Sequence, residues 1–196
     1  MYKGKNKTAL SSLEKISTAL YELLKTHPYS SISISSICEK AGLSRQTFYS
    51  LFDNKDEAAC YLMGTTSNFL RSDLYQTRGD NSLWDICVSY AHFLITHKDP
   101  LHILFIDNKL APLFYRSIRD VIINDPKTII LLRNTTDSQE LADPELYASY
   151  WASCLSGFAA TVYRNWDDSI NEALLAKRFY FYLSGDFAKG RFKELQ

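Results

Sequence analysis

Leu10, Leu13, Ile16, Leu20, Leu23 and Leu24 recur at helical steps, with polar residues filling the gaps. That stripe predicts an amphipathic helix over about residues 6–27, stopped by Pro28. Ile34, Ile37, Cys38 and Ala41 repeat at i, i+3, i+4 and i+7. Ser33 precedes them as a cap and Gly42 follows as a stop, so a short second helix is expected. Ile32 and Ile34 also alternate with serines across 31–37, which makes a strand the competing reading. The stop glycine and the short length favour the helix. A two-turn helix then runs from Ser44, as cap, to about Phe52. Asp53 or Asn54 caps a longer one reaching about Leu74.

Residues 77–81, with Gly79, break the pattern. Ser82 opens a helix carrying Trp84, Cys87, Val88, Ala91, Phe93, Leu94 and Ile95, expected to run up to Pro100. Residues 111–121 and 126–133 read as shorter helices, and 135–140 as a polar loop. Asp143-Pro144 sets a capping acid before a proline at the first helical position, opening a helix through Trp151, Leu155, Phe158, Val162 and Trp166. Ser169 to Glu172 has the spacing of a capping box ahead of a last helix with Leu174, Leu175, Phe179, Tyr180, Phe181 and Leu183. The fold class is all-α, with a small N-terminal trihelical unit, a larger helical body and about nine helices in all.

Composition agrees. Seven glycines and five prolines in 196 residues are too few for a barrel or sandwich of many short strands. Lys+Arg and Asp+Glu are both 22, which excludes a wholly basic coat protein and an acidic disordered chain. The balance is uneven: residues 1–52 carry seven Lys/Arg against three Glu. A basic end on a slightly acidic body fits a chain whose first segment alone meets an anion. Cys38, Cys60, Cys87 and Cys154 are too widely spaced for a zinc or redox motif and read as small hydrophobes. No signal-peptide pattern follows Lys3, Lys5 and Lys7, and the longest aliphatic run, Ile129 to Leu132, is far too short to cross a bilayer. A cytoplasmic location, with reduced thiols and no membrane partner, is expected.

The chemistry is concentrated in Ser44 to Phe52. On a helical wheel Phe48, Leu51 and Phe52 share one face, while Arg45, Gln46, Tyr49 and Ser50 share the other. The outer face holds no acid. Arg can be bidentate to guanine and Gln to adenine, Thr47 can reach a base or a phosphate, and Tyr and Ser hydroxyls suit phosphate oxygens. A helix at 34–41, a tight turn at Ala41-Gly42-Leu43 and this outward-polar helix make a helix-turn-helix whose second helix would enter the major groove of duplex DNA. Lys55, opening the next helix, is expected beside a phosphate, and that helix N-terminus is expected to offer free N–H groups to it.

Other features point away from chemistry. His92, His97 and His102 recur every five residues and fall on different helix faces, so no metal pair forms. Phosphate-cradling glycine loops and the GxSxG context are missing, and Asp167-Asp168 reads as a helix end and cap. Neither an enzyme activity nor a cofactor is expected.

The run from Ser33 to Glu57, with Ala41-Gly42-Leu43-Ser44, Phe48-Tyr49, Phe52 and Lys55, resembles the DNA-binding domain of the TetR/AcrR family of regulators. The resemblance covers about residues 6–66 and makes 67–196 an effector-binding and dimerisation domain. It implies DNA contacts from Ser35, Arg45, Gln46, Thr47, Tyr49 and Lys55. Leu51 stands where the family often has a phosphate-binding histidine, so that contact is missing. Tyr150, Phe158 and Trp166 resemble, loosely, the ending of a Gram-positive branch that includes the activator of dihydroxyacetone kinase operons, though Asp167-Asp168 replaces its usual glycine.

The family implies a homodimer through the last two long helices, for which Tyr150, Cys154, Val162, Trp166, Leu174 and Phe181 are candidates. It also implies a cavity in the body. Trp84, Phe93, Phe105, Phe114, Tyr115, Trp151 and Phe158 are candidates to line it, against the simpler reading that aromatics at helical spacing are core. The expected function is a homodimeric repressor released from a roughly palindromic operator by a small apolar or aromatic ligand. The alternative is a DNA-binding activator or adaptor whose C-terminal domain binds a partner protein.

Overall fold

The computed structural model describes residues 6–64, 82–125 and 143–185. The expected break at 77–81, the helix at 126–133, the loop at 135–140 and the stretch 65–74 lie outside them. Helix α1 (Lys7–Leu24) begins at Asn6, whose side chain accepts the Thr8 N–H at 2.9 Å. It ends short of Pro28, because the N–H groups of Thr26 and His27 both turn back onto the Leu23 carbonyl. A single 3₁₀ turn, Tyr29–Ser31, follows in place of any strand.

Helix α2 (Ile34–Ala41) has a reciprocal cap: Ser33 Oγ accepts the Ser36 N–H at 3.0 Å and Ser36 Oγ accepts the Ser33 N–H at 3.1 Å. It stops at Gly42, in the left-handed region at φ 65°. Among the described residues a Cβ added there meets nothing within 4 Å. Gly42→Ala is therefore expected to carry backbone strain alone, lowering stability by about 1 kcal/mol, which a denaturant midpoint would show. Ser44 caps α3 (Arg45–Leu51) by accepting the Thr47 N–H at 3.0 Å. Asn54 rather than Asp53 caps the next helix, α4 (residues 55–64), by accepting the Glu57 N–H at 3.0 Å.

Ser82 and Asp85 form the capping box of α5 (Leu83–Thr96). This helix ends at His97, not at Pro100. The proline sits in the first turn of α6 (Lys98–His102), where its missing N–H has no partner to lose. The chain then passes into a π-turn, Ile103–Asp107, in which the Asn108 N–H reaches back five residues to the Ile103 carbonyl at 3.1 Å. Lys109 follows with φ 56°. Helix α7 (Ala111–Asn124) runs past Val121, and α8 (Pro144–Arg164) starts on the Asp143 cap and ends before Trp166. The cap of α9 (Glu172–Leu183) is Asn171, which accepts the Leu174 N–H at 3.0 Å. The expected Ser169–Glu172 box does not form. Ser169 instead gives its N–H and hydroxyl to Asp167, and Glu172 reaches His92 at 2.9 Å.

The fold is all-α, with nine α-helices among the described residues. Helices α1, α2 and α3 close on Ile16, Leu20, Ile37 and Phe48, each fully buried. In the body α5 packs on α9, and α7 on α8. Two phenols stitch α5 to α8: Tyr90 donates to the Leu155 carbonyl and Tyr163 to the Leu94 carbonyl, both at 2.6 Å. Burial pushes both phenol pKa values up and keeps them neutral donors. Cys38 and Cys87 are buried, Cys60 and Cys154 half-buried, and all four are free thiols. Burial pushes the Cys87 thiol up to about 12. The histidines have separate surroundings: His92 faces Glu172, His102 faces Asp107 at 3.6 Å, and the His97 ring lies 5.1 Å from Phe93. Among the described residues no helix is long and apolar enough to cross a membrane.

Candidate nucleic-acid interface

The inner face of α3 is anchored. Phe48 and Leu51 are 0% and 5% exposed, and Phe48 packs on Phe52 at 5.5 Å, which in turn meets Tyr61 of α4 at 5.8 Å. The outer face is open: Arg45, Gln46, Tyr49 and Ser50 are exposed, and so is Ser35 on α2. Phe48 braces the Tyr49 ring edge-on at 5.7 Å, so the phenol projects from a fixed base. Arg45 and Gln46 make no hydrogen bond or ion pair among the described residues, so both side chains keep their full donor sets for a ligand. The Arg45 charge acts on the Cys38 thiol, opposing the upward pull of burial on its pKa.

Three of the expected contacts look different in three dimensions. The Ser50 hydroxyl donates to the Thr47 carbonyl at 2.7 Å, so it can accept from a base or water but has no proton left for a phosphate. Thr47 Oγ1 lies 2.9 Å from Ser44 Oγ, inside the cap. Lys55 donates to the carbonyls of Tyr29 and Ile32, both at 2.7 Å, and sits 4.1 Å over the Tyr29 ring. Burial pulls its pKa down, but two carbonyls and a ring hold the ammonium inside the fold. One of its three donors remains for a phosphate. The first turn of α4 is partly closed as well, since Asn54 takes the Glu57 N–H and Glu57 takes the Asp53 N–H at 3.0 Å.

Most of the candidate aromatics of the body lie against another ring. Phe105 meets Phe114 at 4.9 Å, Phe93 stacks on Tyr90 at 5.9 Å, and Phe158 meets Phe179 at 4.5 Å. Trp151 is fully buried and Tyr115 half-buried, while Trp84 lies on the surface, 41% exposed, against Tyr180. A groove of about 730 Å³ opens on the outer side of α8 and α9, and of these aromatics only Phe158 lines it. Tyr150, Cys154 and Val162 line it too. Leu174 is half-buried, Phe181 buried, and Trp166 stacks on Tyr163 at 5.5 Å with the Lys98 ammonium 4.7 Å from its ring centre.

The pattern of bacterial regulatory proteins of the tetR family matches residues 16–57, which span the second half of α1, all of α2 and α3 and the start of α4. No curated protein matches the chain in sequence. Among solved structures, Lin0861 from Listeria innocua is similar at TM-score 0.70 with 15% identity, covering 96% of each chain. The fatty acid degradation regulator FadR from Bacillus halodurans is similar at TM-score 0.56 with 18% identity, over 93% of this chain and 97% of that one. The TetR family repressor AlkX from a Dietzia strain is similar at TM-score 0.55 with 19% identity, over 90% and 95%. These likenesses establish the fold across the length of the chain. The matched segment builds the helix-turn-helix itself, so residues 16–57 carry the pattern of the tetR family on a fold similar to that of these proteins.

Proposed function

We propose that the protein is a homodimeric repressor that reads a roughly palindromic operator with α3 and leaves it when a small apolar or aromatic molecule enters the body. The observation that carries the reading is the acid-free outer face of α3, exposed above the fully buried Phe48. Arg45 and Gln46 are its base readers, Tyr49, Ser35 and the third donor of Lys55 its backbone contacts, and Thr47 and Ser50 acceptors at its edge. The domain division at about 66/67 belongs to the same reading. Repression is taken by analogy of fold, AlkX being a repressor.

Dimerisation rests on the groove between α8 and α9. Exposed Tyr150, Ser153, Gly157 and Thr161 form one stripe of α8, and exposed Arg178 and Tyr182 lie across from them on α9. Two heads tied together this way would meet successive major grooves about 34–36 Å apart. For the effector, the Nε1 atom of Trp151 and the hydroxyl of Ser156 are buried with no hydrogen-bond partner among the described residues. A ligand acceptor facing Trp151 would satisfy one of them. The adaptor reading places a different protein in the α8/α9 groove, which is favoured by its opening at the surface rather than among the body aromatics. It predicts a chain that is monomeric alone. The test is a gel shift of the purified chain on the duplex flanking its own gene, with a salt titration. Retardation that weakens steeply with salt and tracks one duplex supports the reading; equal, weak binding to every duplex contradicts it.

A further inference from the structure

Beside the apolar packing between them, two links among the described residues join the DNA-reading helices to the body. One is α4 itself, which lies against α7, with the Cys60 thiol 3.9 Å from the Leu113 carbonyl. The other is a single side chain. Asn108 follows the π-turn, and its amide is committed to three separate stretches of main chain. Oδ1 accepts the Tyr29 N–H at 2.8 Å, and Nδ2 donates to the Leu24 carbonyl at 3.2 Å and to the Ile103 carbonyl at 2.9 Å. Both amide hydrogens are used, and no other side chain of this length offers one acceptor and two donors. The partners are well chosen for a tether. Leu24 is the last residue of α1, whose carbonyl has no helical partner. Tyr29 opens the 3₁₀ turn leading into α2, and it is gripped from the far side as well: its carbonyl and ring hold Lys55, and its hydroxyl donates to Asp56 at 2.5 Å.

We propose that Asn108 is the positioning residue that fixes the angle of the reading head on the body. A head joined by one helix alone can swing about that helix; a second attachment off its axis removes the swing. The base of the tether is firm. Phe105, inside the π-turn, rests on Phe114 and lies 5.9 Å from Tyr163, and Lys109 holds the turn in a left-handed conformation that L-residues adopt only when held there. In a dimer the angle of each head sets the spacing of the two α3 helices, so Asn108 controls which half-site separation the protein accepts. The proposal rests on the DNA-reading function only at that last step.

The test uses the full chain, wild type and two variants. Asn108→Ala removes all three bonds. Asn108→Asp keeps an acceptor for Tyr29 but sets a carboxylate oxygen against the carbonyls of Leu24 and Ile103. The first readout needs no DNA: amide exchange at Tyr29, and the distance distribution between spin labels at Gln46→Cys and Lys177→Cys. In Asn108→Ala the Tyr29 amide is expected to exchange on the order of tenfold faster, and in both variants the label distance broadens while exchange in α8 is unchanged. The second readout uses a duplex enriched from a random pool by the wild-type chain, and the same duplex with one base pair inserted at its centre. Wild type is expected to lose on the order of tenfold or more on the longer duplex, and the variants to lose about threefold or less. Wild-type exchange in the alanine variant with an unbroadened distance in both, or a spacing penalty kept in both, overturns the proposal. If the pool enriches nothing, the DNA-reading function fails on its own, and exchange and distance still decide whether Asn108 holds the head.

Discussion

Gly157→Leu is expected to turn the proposed dimer into a folded monomer and to weaken binding to a two-half-site operator by about 10²- to 10⁴-fold, the advantage that linking two readers provides. Gly157 lies in the 21-residue helix α8, exposed, on the wall of the groove. Glycine there weakens the helix by about 1 kcal/mol against alanine. The described residues supply no reason for it, since a Cβ added at Gly157 meets none of their atoms within 4 Å. A reason appears if a second copy of the chain brings its own helix against this face. Leucine would then improve the isolated helix and block the approach. Analytical ultracentrifugation and far-UV circular dichroism separate the two effects. A leucine variant that stays dimeric and binds as wild type would show that this face is not the interface.

Phe48→Ala is the second large effect. The ring is fully buried at the centre of α1, α2 and α3, against Phe52. Its removal is expected to lower stability by about 3–5 kcal/mol through lost burial and the cavity left behind. For a head built of one long and two short helices that is enough to melt it. The loss is local: amide exchange should accelerate across 34–51 and stay slow in α5 and α9. DNA binding disappears even though no DNA-facing group has changed. Fast exchange spread evenly through the body would mean that head and body unfold as one unit.

The parts of this structure that could be read from sequence are those a few adjacent residues determine. Ser33, Gly42, Ser44 and the Asp143-Pro144 pair are local devices acting within one turn, and each ends or begins a helix where its chemistry requires. The two faces of α3 follow from spacing alone. Where a residue had two local choices, spacing could not decide. Ser169 fits a capping box but is drawn off by Asp167, and Pro100 serves at a helix start as readily as after a helix end. Long-range partners left no trace. Lys55 looks like a free cation until the fold sets two carbonyls beside it from 23 and 26 residues away. Asn108 is an unremarked amide until Tyr29 and Leu24, 79 and 84 residues distant, arrive on either side. The body aromatics have the period of a core and of a cavity wall alike; which rings they meet, as Phe105 meets Phe114 and Phe158 meets Phe179, depends on residues far away in the chain.

Arg45 carries the most direct test of how the protein works. Wild type and Arg45→Ala should be titrated, at several salt concentrations, with the duplex enriched from a random pool and with a scrambled duplex of the same length. If the outer face of α3 reads bases, the substitution lowers affinity for the enriched duplex by about 1–3 kcal/mol, relaxes preference at one base position and leaves the scrambled duplex nearly unaffected. Equal losses on both duplexes, or a wild-type chain that ignores every duplex even at low ionic strength, would contradict it.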